Sequence, residues 1–562
     1  KKQSQIYYIS RSQGSRDRLA DYKELNTNIG NYVLDALAIH RKPVKICKST
    51  ECLRSAATLA LSMDTSANPC EDFYQYVCGN WGSDHPRPDA YRSYDWFRDK
   101  QTKVYSIVRD FLNRNTSHQP KAVQQAKDMY NGCMNTEALD KRGLKPVIAI
   151  LETLGLPPYP TFINATEDFD YSSYTFDWLD VVIKIKTQIG MDVLIGFDIF
   201  TDPKNSSVYR LIMGSPENTN PFPSFIRETA NLKYKIERRR DKSDDEDDDD
   251  KIARAHKLFY AELMKLFVIE ADGVKTSKLT EVELDQNIIL TANEYFLTHS
   301  DIYEVNYTVD EIQAHTDAIV ENNNGTASPI WKKYLEGVFN VSITKLDFEN
   351  DKVLVSDPDL KYMSLMAAYV SKTPPVVLEL YIWIKVMTMT FIHSHEPSPP
   401  RSLQCANAVN DMLGMAISYG IADPYFFNVT KPKVLTMIDE LKNSLAHLVG
   451  QARWMDDNTK LATYQKIIEM RTLVGFPDWL LEEGMLDTYY KGIEVDAEKH
   501  LENMININQV KTQNVLDRFR EGNHFSWATD PTEVNAYHTF QENTITVPMV
   551  MLQHPFFDLG LE

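Results

Sequence analysis

Val534-Asn535-Ala536-Tyr537-His538, Gln541-Glu542-Asn543, Thr544-Ile545-Thr546-Val547-Pro548 and Pro555-Phe556-Phe557 follow one another near the end of the 562-residue chain. They read as an extended segment, a polar turn, a second extended segment and an apolar run. Tyr537, Ile545 and Val547 suit strands, and Gln541-Glu542-Asn543 suits the turn between them. An exposed strand that begins Asn-Ala can hold a peptide: backbone pairs with backbone, and the Asn amide fixes the register.

Upstream of this β element the periodicity is helical. Cys52 to Leu61 carries a helix pattern that stops at Asp64-Thr65-Ser66-Ala67-Asn68-Pro69. Asp72 to Val77 leads into Cys78-Gly79-Asn80-Trp81, with the glycine as a stop. Val434, Ile438, Leu441, Leu445 and Leu448 recur at spacings of 4, 3, 4 and 3, close behind Pro432. That pattern predicts an amphipathic helix with one buried stripe. A further helix is expected from the N-cap cluster Asp456-Asp457-Asn458-Thr459 to Val474, ahead of Gly475-Phe476-Pro477. With 43% hydrophobic and 11% aromatic residues, and only 21 Gly and 26 Pro, the composition is that of a globular, mainly α protein with a small β element. Its length requires two or more lobes.

The formal net charge of -19 excludes nucleic acid as a partner class, because phosphate binding needs clustered Lys and Arg. Residues 241–251 hold eight acids and two Lys, and read as a solvated loop; they lack the spaced acids and turn glycine of an EF-hand. The most apolar run, Val376 to Ile392, is interrupted by Glu379 and Lys385 and falls short of the ~20 residues of a membrane span, so it reads as a core helix. The chain begins at Lys1 with no apolar signal core, so any signal or anchor is expected upstream. Six Cys stand at 47, 52, 70, 78, 133 and 405, with no CxxC pair. N-x-S/T sequons occur at Asn115, Asn164, Asn205, Asn306, Asn324, Asn340 and Asn428. Together these point to an extracellular, oxidising environment.

At Cys47-x4-Cys52, Ser62-Met63-Asp64, Asn68-Pro69-Cys70-Glu71-Asp72-Phe73-Tyr74 and Cys78-Gly79-Asn80-Trp81, the sequence resembles the start of the neprilysin and endothelin-converting-enzyme family. These are zinc metallopeptidases of the cell surface and extracellular space. Tyr130-Asn131-Gly132-Cys133-Met134-Asn135, Trp454-Met455-Asp456, Gly475-Phe476-Pro477-Asp478 and the closing stretch continue the resemblance in register, from roughly Ile46 to Phe557. It implies a two-lobed neprilysin-like ectodomain enclosing a large cavity. One lobe is thermolysin-like and carries the zinc; here it is incomplete, represented by residues 46–81 and 476–562. The inserted helical lobe is 82–475, and 1–45 is a stalk or linker. The resemblance also implies disulfides Cys47–Cys52 and Cys133–Cys405. It leaves Cys70 and Cys78 without their partners; bonding to each other or to a second chain are the alternatives.

Site residues carry over position by position. Asn535 and Ala536 match the family's clamp on the substrate backbone. Arg92, in Tyr91-Arg92-Ser93-Tyr94-Asp95-Trp96, matches an Arg whose guanidinium fork binds a substrate carboxylate or backbone. Trp96, Met551 and Phe556 align with the apolar pocket for the side chain after the cleaved bond. The zinc site itself requires H-E-x-x-H, which sets two imidazoles on one helix face with a Glu beside the water. None of the 13 His lies four residues from another, and His393-Ser394-His395-Glu396 reads as a helix end with surface His. The expectation is the N-terminal part of a zinc endopeptidase that cleaves small extracellular peptides on the amino side of apolar residues. This chain by itself binds no zinc and is inactive. The alternative is a truncated, non-catalytic homologue acting as a peptide-binding or decoy module.

Overall fold

The computed structural model describes residues 47–88, 91, 93–115, 119–161, 170, 173–216, 221–223, 304–391, 400–423, 425–522, 527 and 529–559. The expected stalk at 1–45, the acidic run at 241–251, and His393 and His395 lie outside these residues. The described residues divide into two units, one of 47–85 with Leu559 and one of Pro86–Asp558.

In the first unit, helix α1 (Thr50–Ser62) begins where Ser49 caps it, its hydroxyl accepting from the Cys52 N–H at 3.2 Å. The Cys47–Cys52 disulfide closes over this first turn. Asp72 caps α2 (Phe73–Cys78) by accepting from the Gln75 N–H at 2.8 Å. The Gln75 side chain then donates to Asp64, and the Asn80 amide donates to the Met63 carbonyl at 2.7 Å, tying the two helices together. Cys70 is exposed and Cys78 half-buried, both as free thiols.

The second unit opens with α3 (Trp96–Leu112) and α4 (Lys121–Met134). The chain then builds a core of its own from α5 (Trp178–Ile189), β1 (Gly196–Asp202), β2 (Asn205–Gly214), β3 (Glu304–Tyr307), α6 (Val309–Asn322), α7 (Trp331–Phe339), β4 (Val353–Ser356), α8 (Asp357–Val370) and α9 (Pro375–Phe391). The four strands form one sheet in the order β1-β2-β4-β3, with β2 and β4 parallel. Trp331 and Trp383 are wholly buried, each contributing about 2–3 kcal/mol of apolar burial. Their indole N–H groups are satisfied by Thr316 Oγ1 at 2.8 Å and the Pro157 carbonyl at 3.2 Å. Helix α9 is the apolar run of the sequence, and it is a core helix. Its Glu379 carboxylate is fully buried but accepts from the Thr161 N–H and hydroxyl, both at 2.7 Å, and from the Tyr174 hydroxyl. Among the described residues no helix is long and apolar enough to cross a membrane.

The chain returns to α3 and α4 with α10 (Arg401–Ile421), and the Cys133–Cys405 disulfide joins α4 to α10 inside this second core. There follow α11 (Thr430–Gln451), α12 (Asp457–Glu469), β5 (Arg471–Gly475), α13 (His500–Asp517), β6 (Tyr537–Thr539) and β7 (Thr544–Pro548). The last three strands form a sheet in the order β5-β7-β6. Helix α10 breaks at Leu413 (φ −128°, ψ 41°). A side chain at Gly414 would collide with the Asp530 carboxylate, its Cβ 2.2 Å from Cγ. The Met415 N–H at the break is satisfied by the Tyr490 hydroxyl at 3.0 Å.

Two expectations are corrected here. The helix capped by Asp456 ends at Glu469, not Val474, because Arg471–Gly475 pairs in parallel with Thr544–Pro548. Thr472 and Val474 are β-branched, and tertiary pairing overrides the local helical reading. The apolar stripe of α11 is buried only in part. Val434 and Ile438 belong to the second core, but Leu441 and Leu448 are 63% and 65% exposed. The last turns of α11 run beside α12, whose own Leu461 and Ile468 are exposed as well. Periodicity shows which residues share a face, not whether anything lies on it.

One pH dependence follows from the start of α13. The His500 Nδ1 is buried without a hydrogen-bond partner, and burial, then the nearby Arg401 cation, push this imidazole down to about 4. Both folded and unfolded states are neutral here above pH ~6.5, so no stability difference arises there. As pH falls from ~6.5 towards 4, the unfolded chain takes the proton and the folded chain resists it. Stability is therefore expected to drop by about 2–3 kcal/mol across that window relative to a His500→Gln variant, read from denaturant midpoints at each pH. Equal pH profiles for the two proteins would contradict the assignment.

Candidate functional site

The closing stretch folds as a small sheet with an open edge. β6 pairs antiparallel with β7 through Tyr537 with Thr546, His538 with Ile545, and Thr539 with Thr544. β7 in turn pairs with β5, and among the described residues no strand lies beyond β6. The polar break is a 3-10 turn, Phe540–Glu542, and Asn543 beyond it takes φ 50°. Asn is one of the few residues that accept this left-handed conformation, which explains the turn chemistry.

Asn535 and Ala536 are exposed and lie just ahead of β6. The ladder starts at Tyr537 instead of Asn535, because local bonds engage the groups before it. The Asn535 N–H donates to the Glu533 carbonyl at 3.0 Å, and the Ala536 N–H donates to Asn535 Oδ1 at 2.9 Å. The Asn535 amide nitrogen donates to the Tyr537 hydroxyl at 3.1 Å, and that hydroxyl donates to Glu533 Oε1 at 2.5 Å.

One face of α3 supports this segment. Phe97, Lys100 and Gln101 stand at i, i+3 and i+4 and so project together. The Gln101 side chain accepts from the Val534 N–H at 2.8 Å and donates to the Thr532 carbonyl at 3.4 Å. It pairs with the segment as a neighbouring strand would. Lys100 donates to Gln553 Oε1 at 2.9 Å. The Phe97 ring lies 4.7 Å from that of Phe556. Nearby, burial and then the Asp99 charge push the Tyr94 hydroxyl up to about 12, so it stays protonated and donates to Asp99 at 3.1 Å.

The expected pocket residues are placed as follows. Trp96 is half-buried at the first position of α3, which Asp95 caps by accepting from the Arg98 N–H at 2.9 Å. Met551 and Phe556 are half-buried against the second core. Arg92 lies outside the described residues. Phe97, Gln101 and Glu533 are the residues that sequence reading misses. Their signals are local: Phe97 and Gln101 share a helix face, and Glu533 is two residues ahead of Asn535.

The model of peptidase family M13 matches residues 69–477. The chain belongs to peptidase family M13. This M13 chain is 24% identical over 540 residues to an endothelin-converting enzyme homolog of Locusta migratoria, covering 92% of the chain and 69% of that protein. It is 24% identical over 535 residues to neprilysin of Mus musculus, covering 91% and 68%. It spans 60% of neprilysin-11 of Caenorhabditis elegans. Among solved structures, it resembles the Mycobacterium tuberculosis zinc metalloprotease Zmp1 in complex with inhibitor, with TM-score 0.61, 16% identity, and 90% and 71% of the two chains covered. It also resembles PepO of Lactobacillus rhamnosis HN001, with TM-score 0.62, 14% identity, and 88% and 73% covered. At such identities the likeness is one of fold, and it agrees with the mainly α, neprilysin-like architecture expected from the sequence.

M13 is a zinc-dependent family, but the donor set among the described residues of this M13 chain does not fit a zinc ion. Among the described residues no three His, Cys, Asp or Glu side chains are placed to share a metal. The described histidines are dispersed. His85 stacks on Trp81, His315 bonds Ser364 at 2.9 Å, and His554 bonds Asp558 at 3.1 Å. His447 lines a groove of about 590 Å³ with Tyr464, and His538 is exposed on β6 against Phe540. Of the sequons, Asn115, Asn205, Asn324, Asn340 and Asn428 are exposed, whereas Asn306 is half-buried on β3 with its Oδ1 enclosed; Asn164 lies outside the described residues.

Proposed function

We propose that this M13 chain supplies the substrate-holding wall of an extracellular metalloendopeptidase that acts on small peptides. The observation that carries the reading is the open edge of β6, with Asn535 and Ala536 exposed at its head. An extended peptide adds to that edge by backbone pairing. The Asn535 amide bonds the peptide backbone beside the bond to be cut, and the Ala536 carbonyl accepts an N–H from it. Trp96, Met551 and Phe556 receive an apolar side chain, and Arg92 takes a carboxylate or a backbone carbonyl. In this reading residues 46–81 and 476–562 belong to the catalytic lobe, and 82–475 to the helical lobe that limits substrate size. The exposed sequons carry glycans, and the site faces the cell exterior.

The 562 residues contain no H-E-x-x-H, so they hold a peptide without supplying the group that hydrolyses it. The same observation favours the second reading, a non-catalytic peptide-binding or decoy module. Chelator-sensitive cleavage of a short fluorogenic peptide by this chain would overturn both statements of inactivity.

The test of the main reading is the affinity of this chain for a labelled, extended, apolar hexapeptide, measured by fluorescence anisotropy. Asn535→Ala is expected to weaken binding about 10-fold, the loss of two backbone hydrogen bonds at ~0.7 kcal/mol each. Unchanged affinity would remove Asn535 from the site.

A further inference from the structure

We propose that Glu533 is a positioning residue for Asn535 and acts through the Tyr537 hydroxyl. The inference rests on the reading of β6 as a peptide-holding edge. The order of donors and acceptors in this relay is forced. The Tyr537 hydroxyl spends its single proton on Glu533 Oε1, at 2.5 Å. The second carboxylate oxygen is held by the Thr529 hydroxyl. With its proton engaged, the Tyr537 oxygen can only accept, so it selects the nitrogen end of the Asn535 amide, at 3.1 Å. The oxygen end then faces the Ala536 N–H, at 2.9 Å.

This fixes the amide against a flip that would exchange its donor and acceptor. One N–H of Asn535 and one lone pair of its Oδ1 stay available on an exposed side chain. A peptide unit offers one acceptor and one donor, so a fixed amide reads an extended backbone in one direction only. Gln101 holds the backbone of the same segment from α3, through Val534 and Thr532. The side chain is thereby set by Glu533 and the main chain by Gln101, and a pre-set geometry reduces the ordering cost of binding.

The experiment is a double-mutant cycle on the full chain, with the labelled apolar hexapeptide as probe. Tyr537→Phe and Glu533→Ala are each expected to weaken binding about 5-fold, the size of one neutral-to-moderate hydrogen bond. Glu533→Gln retains an acceptor oxygen for Tyr537 and is expected to restore affinity to within about 2-fold. In the Asn535→Ala background, Tyr537→Phe is expected to add nothing, a coupling that general loss of structure does not produce. If Asn535→Ala weakens binding while Tyr537→Phe and Glu533→Ala do not, the relay is refuted and the peptide site stands. Additive losses in the cycle refute the relay too. If Asn535→Ala has no effect, the site reading fails and the relay with it.

Discussion

Replacing both Cys133 and Cys405 with alanine is expected to lower the unfolding free energy of the second unit by roughly 5 kcal/mol. The bridge spans a sequence separation of 272 residues and closes the longest loop in the described chain held by a covalent link. In the chain-entropy view a bridge acts on the unfolded state, and its effect grows with the logarithm of the loop. The elements α5 to α9 of the first core of the second unit lie inside this loop, and Leu516 and Phe519 join that core from outside it. Both sulfurs are buried, and Arg401 donates from Nε to the Cys133 carbonyl at 2.8 Å, so the helix ends are also fixed by a charge-assisted bond. Cys47–Cys52, with a separation of 5, is expected to contribute only about 2 kcal/mol. The check is the urea midpoint of the tryptophan signal for the two double-alanine variants. Equal shifts for the long and the short bridge would contradict the account.

Gly475→Ala is expected to destabilise the chain by about 3–4 kcal/mol, for two separable reasons. Gly475 closes β5 with φ +87°, a conformation that costs a residue with a side chain about 1–2 kcal/mol. The new Cβ would also stand 2.1 Å from the Phe426 ring. That ring packs at 5.2 Å on Phe476, and Phe427 meets Phe476 edge-on at 4.9 Å, so it has little room to retreat. Overpacking of this kind costs about 1–3 kcal/mol. Combining Gly475→Ala with Phe426→Leu should relieve the clash and leave the backbone term, so the double variant should be less than the sum of its parts. Strict additivity of the two free-energy changes would show that the ring and the glycine are not in contact.

Much of the helical part of the fold is legible in the residues. The expected cap at Asp456 is found, and the helix patterns read from Cys52 and from Asp72 fold as α1 and α2. The closing hairpin is legible for a similar reason: β-branched residues flank a polar turn whose Asn543 takes the left-handed conformation. The four-stranded sheet β1-β2-β4-β3 escapes a reading by period. β1 alternates cleanly only in its centre, and β4 is buried at all four positions, which looks the same as a core helix over so short a run. Its parallel pairing with β2 joins residues far apart in sequence, which no local pattern records. Arg471–Gly475 fails for the same cause: its partner strand lies beyond residue 540.

The site divides along the same line. Asn535 and Ala536 stand out as residue types at the head of an edge strand. Phe97, Gln101 and Glu533 do not, because their value comes from what they touch. An ordinary Gln on a helix becomes part of the site only when α3 lays it beside Val534. The exposed half of the α11 stripe gives the converse lesson. Leu441 and Leu448 carry a core pattern and lie on a bare face.

The account stands on peptide addition at the edge of β6, and amide hydrogen exchange across residues 535–539 tests it most directly. Saturating apolar hexapeptide should slow exchange in that segment of the wild-type chain about 10-fold or more, and Asn535→Ala should reduce the effect at the same peptide concentration. Slowed exchange confined to other segments, with 535–539 unchanged, would contradict it.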